Sequence, residues 1–239
     1  MEKILIVGAT SGIGYAIAQI LLDQGYTVGV SGRRVEQLTP LKERFPQSCH
    51  IERIDIIEED TPQRIDSLIE KMGGVDTFIH SSGIGSSNIE LDPQIEIRTA
   101  RTNVEGLIRT TTHIFNHFRD GGGHIAVISS VAGTRTLGSA VAYSATKRFQ
   151  HSYMDGLSQL ATITRSKIHI TDIRPGFVRT PLIEGRTYPM EMKVNYAAKR
   201  IIKAIERKRR VAIIDWRYRL LVLLWRAIPE WLWERLPIK

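Results

Sequence analysis

The sequence predicts an α/β fold, in which a doubly wound parallel sheet carries helices on both faces. Three observations support this prediction. Short apolar runs alternate with amphipathic helical patterns along most of the 239 residues, and the first run leads into a glycine-rich turn. The connections also have the length that parallel strands require. A hydrophobic content of 42% is ordinary for a globular chain, and the length suits a single domain.

The predicted elements follow one another without a repeat or a linker. Lys3–Val7 is a short apolar run, and residues 12–24 carry apolar side chains on one helical face. Further strands are predicted at 27–31, 50–54, 76–80, 124–128, 168–173 and 211–214. Further helices are predicted at 35–45, 63–71, 92–119, 142–163 and 195–208. Pro40 is expected to disturb the helix at 35–45, and the one at 92–119 is expected to break near its start.

Positive charge is concentrated at the C-terminal end. Residues 207–239 hold nine Lys and Arg against three Asp and Glu, which is +6 of the total net charge of +8. The same stretch contains all four tryptophans, at positions 216, 225, 231 and 233. We therefore divide the chain into a domain of residues 1–215 and a basic, Trp-rich helical tail of residues 216–239.

The cysteine content and the N-terminal residues indicate the cellular compartment in which the protein is expected. Cys49 is the only cysteine, so no intrachain disulfide can form and a reducing environment is expected. Its place beside a strand predicts a small buried hydrophobe. The N-terminus lacks the charged and long apolar regions of a signal peptide, and no apolar run reaches the roughly 18 residues of a membrane span. These observations predict a cytoplasmic protein.

Four polar residues form the candidate catalytic set. Tyr143 and Lys147 are four residues apart, so they share one face of a helix. An ammonium beside a phenol favours the phenolate and lowers the phenol pKa from its usual ~10. Ser130 precedes the pair in a Ser-x12-Tyr-x3-Lys arrangement, and Asn103 lies further upstream. This ordered set suits general acid–base chemistry and predicts an enzyme.

The glycines near the N-terminus indicate a nucleotide site. Gly8, Gly12 and Gly14 lie between the first strand and the first helix. This position places free backbone N–H groups at the N-terminus of a helix, where a pyrophosphate can bind. Glycines allow the tight turn and the close approach of phosphates, because no Cβ atoms intervene.

Taken together, these motifs resemble the short-chain dehydrogenase/reductase family over residues 3 to about 215, and they imply a Rossmann-like fold. Asn103, Ser130, Tyr143 and Lys147 match the catalytic tetrad of the family in order and spacing. Val7 stands where Thr is usual, and His80-Ser81-Ser82-Gly83 where Asn-Asn-Ala-Gly is common. The residues that match the cofactor motifs are Gly8, Thr10, Ser11, Gly12, Ile13 and Gly14 in the first turn, Asp55 and Ile56 after the third strand, Ser82 and Gly83 after the fourth, and Pro175, Gly176, Val178 and Thr180 after the sixth.

The resemblance implies hydride transfer between a nicotinamide and a carbonyl or alcohol carbon, with ketone reduction as the expected direction. Tyr143 is the implied proton donor to the developing alkoxide. Lys147 is implied to lower the pKa of Tyr143 and to hold the nicotinamide ribose, as a second cofactor contact beside Tyr143. Ser130 is implied to bind the substrate oxygen, and Asn103 to fix a water that links Lys147 to solvent.

Other interpretations stay open beside this one. Ser129 competes with Ser130, although the spacing to Tyr143 favours Ser130. His113 and His117 are spaced like helical metal ligands, but no third ligand is evident and no metal is expected. The basic run at 207–210 comes without a nucleic-acid module, so no nucleic-acid partner is expected. The alternative function is a catalytically idle cofactor-binding or scaffold member of the same family. The segment between Pro181 and Val194 is expected to cover the site.

The end of the second strand predicts the cofactor type. Ser31-Gly32-Arg33-Arg34 offers no acid to accept a hydrogen bond from an adenosine ribose 2′-hydroxyl. Gly32 leaves room, and Arg33 can offer a forked, permanently charged donor set to a 2′-phosphate, with Arg34 assisting. The sequence therefore predicts NADP(H).

Two expectations concern assembly. In related reductases, helices corresponding to 103–119 and 142–163 pair across a two-fold axis, which implies a homodimer or homotetramer. In the tail, residues 218–228 and 229–236 are predicted as short helices, the second starting at Pro229. Apolar helices that bear Trp and are flanked by Arg suit peripheral contact with the inner face of a membrane, and with it an apolar or lipid-like substrate. Packing of the tail on the body or on a partner subunit is the alternative.

Overall fold

Seven strands form one fully parallel sheet in a computed structural model of the protein, which describes residues 2–183, 185 and 188–238. The strands are β1 (Lys3–Val7), β2 (Thr27–Gly32), β3 (Cys49–Arg53), β4 (Thr77–His80), β5 (Gly123–Ile128), β6 (Ile168–Arg174) and β7 (Val211–Ile213). Their order is β3-β2-β1-β4-β5-β6-β7. The direction of strand addition therefore reverses between β1 and β4, which is where ligands bind in folds of this type.

Helices cover both faces of the sheet. They are α1 (Gly12–Asp23), α2 (Thr39–Arg44), α3 (Thr61–Met72), α4 (Pro93–Ala100), α5 (Gly106–His117), α6 (Val141–Ile163), α7 (Val194–Glu206), α8 (Trp216–Ala227) and α9 (Glu230–Trp233). β1 illustrates how the sheet divides the core, because successive side chains point to opposite faces. Ile4 and Ile6 join a cluster with α1 and α7, whereas Leu5 and Val7 join one with α3, α5 and α6. The predicted doubly wound, Rossmann-like fold is confirmed.

Two helices predicted in the body differ from the observed ones, and the tail helix predicted at 229–236 is only Glu230–Trp233, with Pro229 just before it. The helix predicted at 35–45 is a 3₁₀ turn, Val35–Leu38, followed by α2. Pro40 lies in the first turn of α2, where its missing N–H costs nothing, so it begins a helix rather than disturbing one. The predicted break in the helix at 92–119 is a π-helical turn, Arg101–Glu105, between α4 and α5. Such turns occur preferentially at functional sites, and this one carries Asn103.

The tail packs on the body through one face of α8. Asp215 begins this helix by accepting a hydrogen bond from the Arg217 N–H at 2.9 Å. Tyr218 and Val222 are almost fully buried in the cluster that contains α1 and α7. Within the described residues no helix is long and apolar enough to cross a membrane. Cys49 is fully buried, as expected, and burial raises the pKa of its thiol to about 11.

Candidate active site

The glycine-rich turn forms a tight cradle at the carboxyl end of β1. Gly8 and Gly12 have positive φ angles of 83° and 59°. A Cβ on Gly8 would lie 2.5 Å from Ser82 N, and one on Gly14 would lie 2.3 Å from Gly8 O. Neither position can accept a side chain without movement of the backbone, because both obstacles are main-chain atoms. The turn from β1 into α1 therefore depends on glycine for geometry as well as for conformational freedom.

The cradle fits a pyrophosphate. Ser11 precedes α1, and within the described part of the chain its side chain caps none of the first amides of that helix. The first turn of α1 contains no acidic residue that would repel a phosphate. Ile13 lies in this turn, and Thr180 faces Gly12 from the other side, 3.3 Å from where a Cβ would stand. Free amides and a helix N-terminus without negative charge form a suitable anion site.

The candidate 2′-phosphate residues lie at the end of β2. Arg33 and Arg34 are both exposed. The Nη2 atom of Arg34 lies 3.5 Å from Thr10 Oγ1 and 3.4 Å from Ser11 Oγ, so this guanidinium already reaches the turn. A Cβ on Gly32 would lie 2.6 Å from the Thr10 side chain, so Gly32 makes room for Thr10.

The two candidate residues after β3 differ in exposure. Asp55 is half-buried, and its carboxylate accepts a weak hydrogen bond from the Ile57 N–H at 3.4 Å. Ile56 is buried against Gly106 at the start of α5, so its side chain belongs to the core. Only the backbone of Ile56 can therefore contact a ligand without rearrangement of the core.

The four predicted catalytic residues converge near the carboxyl ends of β4 and β5. Asn103, Ser130 and Lys147 are buried, and Tyr143 is half-buried. Lys147 Nζ lies 5.7 Å from the centroid of the Tyr143 ring. Gly83 connects this group with the loop after β4, because a Cβ there would lie 3.3 Å from Asn103 Oδ1 and 3.4 Å from Lys147 Nζ.

The two candidate serines have different surroundings. Ser129 donates a hydrogen bond to Asp172 Oδ1 at 2.5 Å, and Asp172 also pairs with Arg174 at 2.6 Å in a buried network. Ser130 Oγ instead accepts from the Ala132 N–H at 3.1 Å, and the proximity of its hydroxyl lowers the Tyr143 pKa. The geometry therefore favours Ser130 over Ser129 as the residue next to the reacting groups.

The pKa of Tyr143 does not follow the expectation. Burial raises it above its usual value of 10.0, and the hydrogen bond from Ser130 offsets this only in part. Burial also lowers the pKa of Lys147 to about 8. The Lys147 ammonium gives its hydrogen bonds to Ile128 O at 3.2 Å and Gln150 Oε1 at 3.0 Å. Burial is therefore the largest influence on the Tyr143 pKa in this arrangement, because desolvation disfavours the charged phenolate.

Gln150 is a site residue that the sequence analysis missed. Its side chain is fully buried and donates from Nε2 to Asn103 O at 2.9 Å, while its Oε1 accepts from Lys147. The amide of Gln150 therefore connects the backbone of Asn103 with the Lys147 ammonium. The spacing of three residues from Lys147 on α6 would have placed it on the same face.

Other residues near the tetrad have structural roles. A Cβ on Gly85 would lie 2.2 Å from the Tyr143 ring, so this glycine lets the loop after β4 pack directly on the phenol. His80, where the family usually has Asn, is fully buried with Nδ1 3.0 Å from Thr110 Oγ1. Burial lowers the pKa of His80 to about 3, so the ring is neutral. His151 contacts Ser130 O at 3.0 Å through Nε2 and positions the backbone under the site.

The segment after β6 lies over the same region. Pro175 O accepts from the Val131 N–H at 3.0 Å, and buried Val178 pairs with Met192. The rings of Phe177 and Tyr188 stack with centroids 4.0 Å apart, and Tyr188 raises the Tyr143 pKa further. Of the predicted covering segment, residues 184, 186 and 187 lie outside the described residues.

Gly176, one of the predicted cofactor residues, also packs against the tail. A Cβ at this position would lie 2.1 Å from the ring of Tyr218 on α8. The Tyr218 hydroxyl accepts from the Phe177 N–H at 3.0 Å and donates to Met190 O at 3.1 Å. The absence of a side chain at Gly176 therefore makes room for the tail, and the tail in turn braces the segment over the site.

The candidate metal ligands make other contacts. His113 Nε2 pairs with Asp66 Oδ1 at 2.7 Å. Among the described residues, no group of three or more His, Cys, Asp and Glu side chains is arranged to hold a metal ion.

A glycine cradle at the switch point of a parallel sheet, beside a Tyr–Lys pair, defines a protein of the nucleotide-binding α/β class. The family of short chain dehydrogenases matches residues 2–190, and the chain belongs to that family. A Mycobacterium tuberculosis protein described as an uncharacterized oxidoreductase is 30% identical over 98% of this chain and 96% of its own length. A second uncharacterized oxidoreductase, from Myxococcus xanthus, is 29% identical over 96% of this chain and 94% of its own length.

Solved structures share the fold. A short chain dehydrogenase from Burkholderia cenocepacia in complex with NADP has a TM-score of 0.85 at 18% identity and covers 100% of both chains. The 3-ketoacyl-(acyl-carrier-protein) reductase from Brucella melitensis, complexed with NADH, has a TM-score of 0.78 at 22% identity. It covers 89% of this chain and 95% of its own.

Proposed function

We propose that the protein is an NADP(H)-dependent oxidoreductase that interconverts a carbonyl compound and a secondary alcohol, with reduction as the working direction. The observation that carries this proposal is the convergence of Ser130, Tyr143 and Lys147 beside the glycine cradle. When bound, the dinucleotide supplies or accepts the hydride, and the protein supplies position and electrostatics.

Each catalytic side chain has a distinct role in this proposal. The Tyr143 hydroxyl gives its proton to the substrate oxygen as negative charge develops there, and Ser130 holds that oxygen by a hydrogen bond. Lys147 supplies positive charge close to Tyr143. Gln150 holds the Lys147 ammonium at 3.0 Å and is itself held by the backbone of Asn103. The raised pKa of Tyr143 keeps the phenol protonated at neutral pH, as a proton donor requires.

The choice of NADP(H) rests on Arg33 and Arg34. Both side chains are exposed next to the turn. Neither position holds an acidic residue, which would repel a 2′-phosphate. Among the structural neighbours, the Burkholderia protein binds NADP and the Brucella protein NADH, so the arginines of this chain carry the distinction. A charge-assisted hydrogen bond contributes about 1.5–3 kcal/mol. Arg33→Ala should therefore weaken the binding of NADPH about 10- to 100-fold and leave the affinity for NADH nearly unchanged. Isothermal titration with both cofactors measures this. Equal affinities for the two cofactors in the unmodified protein would contradict it.

The substrate that we propose is a carbonyl compound with an apolar body. One of the structural neighbours is named as a 3-ketoacyl-(acyl-carrier-protein) reductase, and the tail that contacts the segment over the site through Tyr218 also carries exposed apolar side chains. A screen of ketones and alcohols with NADPH and NADP⁺, followed by nicotinamide absorbance, tests the activity. Tyr143→Phe is the inactive control, and Tyr153→Phe makes the same change elsewhere on α6. The alternative, an idle cofactor-binding member of the family, predicts tight NADPH binding without turnover of any substrate.

Two further proposals concern assembly. We propose a homodimer formed through α5 and α6, whose exposed side chains include Ile108 and Leu160. Light scattering at micromolar concentration tests this, and a monomeric mass would contradict it. We also propose that the protein works at the cytoplasmic face of a membrane, held there by the C-terminal helices.

A further inference from the structure

Helix α8 has two apolar faces, and only one of them packs on the body. Tyr218 and Val222 are 1% and 2% exposed, whereas the opposite side of the helix is open. We call this open side the outer face of α8. It consists of Trp216, Leu220, Leu223 and Leu224, which are 51–68% exposed and recur at the i, i+4, i+7, i+8 spacing of one helical stripe. Four adjacent exposed apolar side chains on a short helix indicate an interaction surface for a protein or a membrane.

The charges beside this stripe favour an anionic contact. Arg219 and Arg226 are exposed and lie seven residues apart, two helical turns along the same edge of the stripe. Helix α8 contains no acidic residue. The one carboxylate at its start, Asp215, is buried and bound to Arg217 at 3.0 Å. In an antiparallel two-fold contact between two outer faces these arginines would lie along the same edge and repel, so a second copy of this chain in that arrangement fits less well than an anionic surface.

The dimensions and residue types agree with a helix that lies in a lipid interface. Twelve residues of α-helix extend only about 18 Å, which is far less than a bilayer. Leucines reach into the acyl boundary, indole rings settle at the headgroup level, and arginines pair with anionic headgroups. Trp231 and Leu232 on α9 add exposed apolar surface next to α8. We propose that the outer face of α8 docks the protein on an anionic phospholipid surface.

The inner face of the same helices connects this docking surface to the active site. Arg135 donates from Nε to Trp225 O at 3.2 Å, and Trp233 donates from Nε1 to Thr136 O at 3.0 Å. These contacts hold the loop between Ser130 and Tyr143. Tyr218 holds the backbone of Phe177 on the opposite side. Docking therefore places both loops that border Tyr143 one helix diameter, ~10 Å, from the lipid surface. If the proposed reductase function holds, the substrate is an apolar carbonyl compound taken from that surface.

The first experiment measures docking without any assay of activity. The full chain is sedimented with vesicles of phosphatidylcholine, or of equimolar phosphatidylglycerol and phosphatidylcholine, at low salt and at about 1 M salt. We expect co-sedimentation with the anionic vesicles, weaker binding to the neutral ones, and release at high salt. A full chain that stays in the supernatant with both kinds of vesicle would overturn the proposal.

Substitutions locate the contact on the outer face. Leu220→Gln combined with Leu223→Gln should weaken vesicle binding about tenfold or more, because both side chains leave the lipid. Ile97→Gln is the matched control, since Ile97 is 53% exposed on α4, and vesicle binding should not change. Arg219→Gln combined with Arg226→Gln should weaken binding to anionic vesicles about fivefold for each charge removed and leave neutral vesicles unaffected.

Thermal unfolding of each variant shows that it is folded, and light scattering separates lipid from a second copy. One outcome would assign the outer face to a contact between subunits instead. In that outcome the unmodified chain does not bind vesicles, and the Leu220→Gln, Leu223→Gln variant differs from it in oligomeric mass. An equal loss of vesicle binding in the Ile97→Gln control would also contradict the proposal. Because these readouts need no substrate, docking can succeed where the reductase assay fails, and the two failures are distinguishable.

Discussion

The catalytic centre and the C-terminal helices depart from the usual pattern of burial in opposite directions. At the centre, polar side chains are buried, with Asn103 0%, Lys147 4% and Ser130 7% exposed. On α8 and α9, large apolar side chains are open to solvent, with Trp216 68% and Trp231 61% exposed. Both arrangements cost free energy of folding, and natural chains tolerate such costs mainly at functional sites.

The two regions differ in how their cost is offset. The buried polar groups are connected by hydrogen bonds, such as those of Gln150 with Asn103 and Lys147. The exposed apolar groups on the outer face of α8 have no comparable compensation among the described residues, and the proposed lipid contact would cover them. A buried polar network indicates a site that is complete in itself, whereas an exposed apolar stripe indicates one that is not.

The largest effect is expected for Tyr143→Phe, which removes the transferable proton and keeps nearly all of the packing. We expect kcat to fall about 100- to 10,000-fold, with NADPH affinity changed less than about threefold. Tyr153→Phe, the same change nearly three turns further along α6, should leave kcat unaffected. Steady-state kinetics and cofactor titration measure both. Near-normal turnover in Tyr143→Phe would remove the proposed proton donor.

A second prediction uses the pH dependence of stability. The pKa of Lys147 falls from 10.5 to about 8 on folding, so below pH 8 the charged side chain is buried at a cost. Between about pH 8 and 10.5 the folded protein releases this proton and the unfolded chain keeps it, so the contribution of Lys147 to stability improves as pH rises. Lys147→Met abolishes this dependence, although it also loses two hydrogen bonds.

The unfolding free energy of the unmodified protein minus that of Lys147→Met should therefore rise with pH, by up to about 3 kcal/mol. Denaturant unfolding at a series of pH values measures the difference, in which other titrating groups cancel. A constant difference across this range would show that Lys147 is not desolvated in the folded protein.

A third prediction concerns the point where the two regions meet. A methyl group on Gly176 would overlap the Tyr218 ring, so Gly176→Ala should lower the unfolding free energy by about 1–3 kcal/mol. Gly156→Ala on α6 is the control, because the space beside Gly156 is open, and its stability should be equal or slightly higher. Adding Tyr218→Leu should recover part of the loss in a double-mutant cycle. Strictly additive losses would show that the tail and the site segment are independent.

The smallest effect is expected on the outer face of α8 itself. Leu223→Gln should change the unfolding free energy by less than about 0.5 kcal/mol, because the side chain is 65% exposed. Val222→Ala, one residue earlier on the buried face, should cost about 1–3 kcal/mol. Chemical denaturation compares the two. A cost for Leu223→Gln as large as that for Val222→Ala would show that the outer face is covered within the protein or its oligomer, and would remove the contrast between the two regions.

The sequence alone predicted the sheet, the helices on both faces and the set of polar residues that the fold brings together, while their catalytic roles stay a proposal. Alternation of apolar runs and the spacing of Ser130, Tyr143 and Lys147 are local features, and local periodicity sets which residues share a face. The glycine turn was predictable for the same reason, because its conformation depends on residues within a few positions.

Tertiary structure decided what those residues experience. The raised pKa of Tyr143, the bridge through Gln150 and the packing of Gly176 on Tyr218 all depend on residues brought together from distant parts of the chain. Desolvation is a property of the assembled surroundings, so no spacing along the chain could predict that burial raises the Tyr143 pKa. The two faces of α8 were equally apolar in the sequence, and only the packing of Tyr218 and Val222 on the body decided which of them remained free.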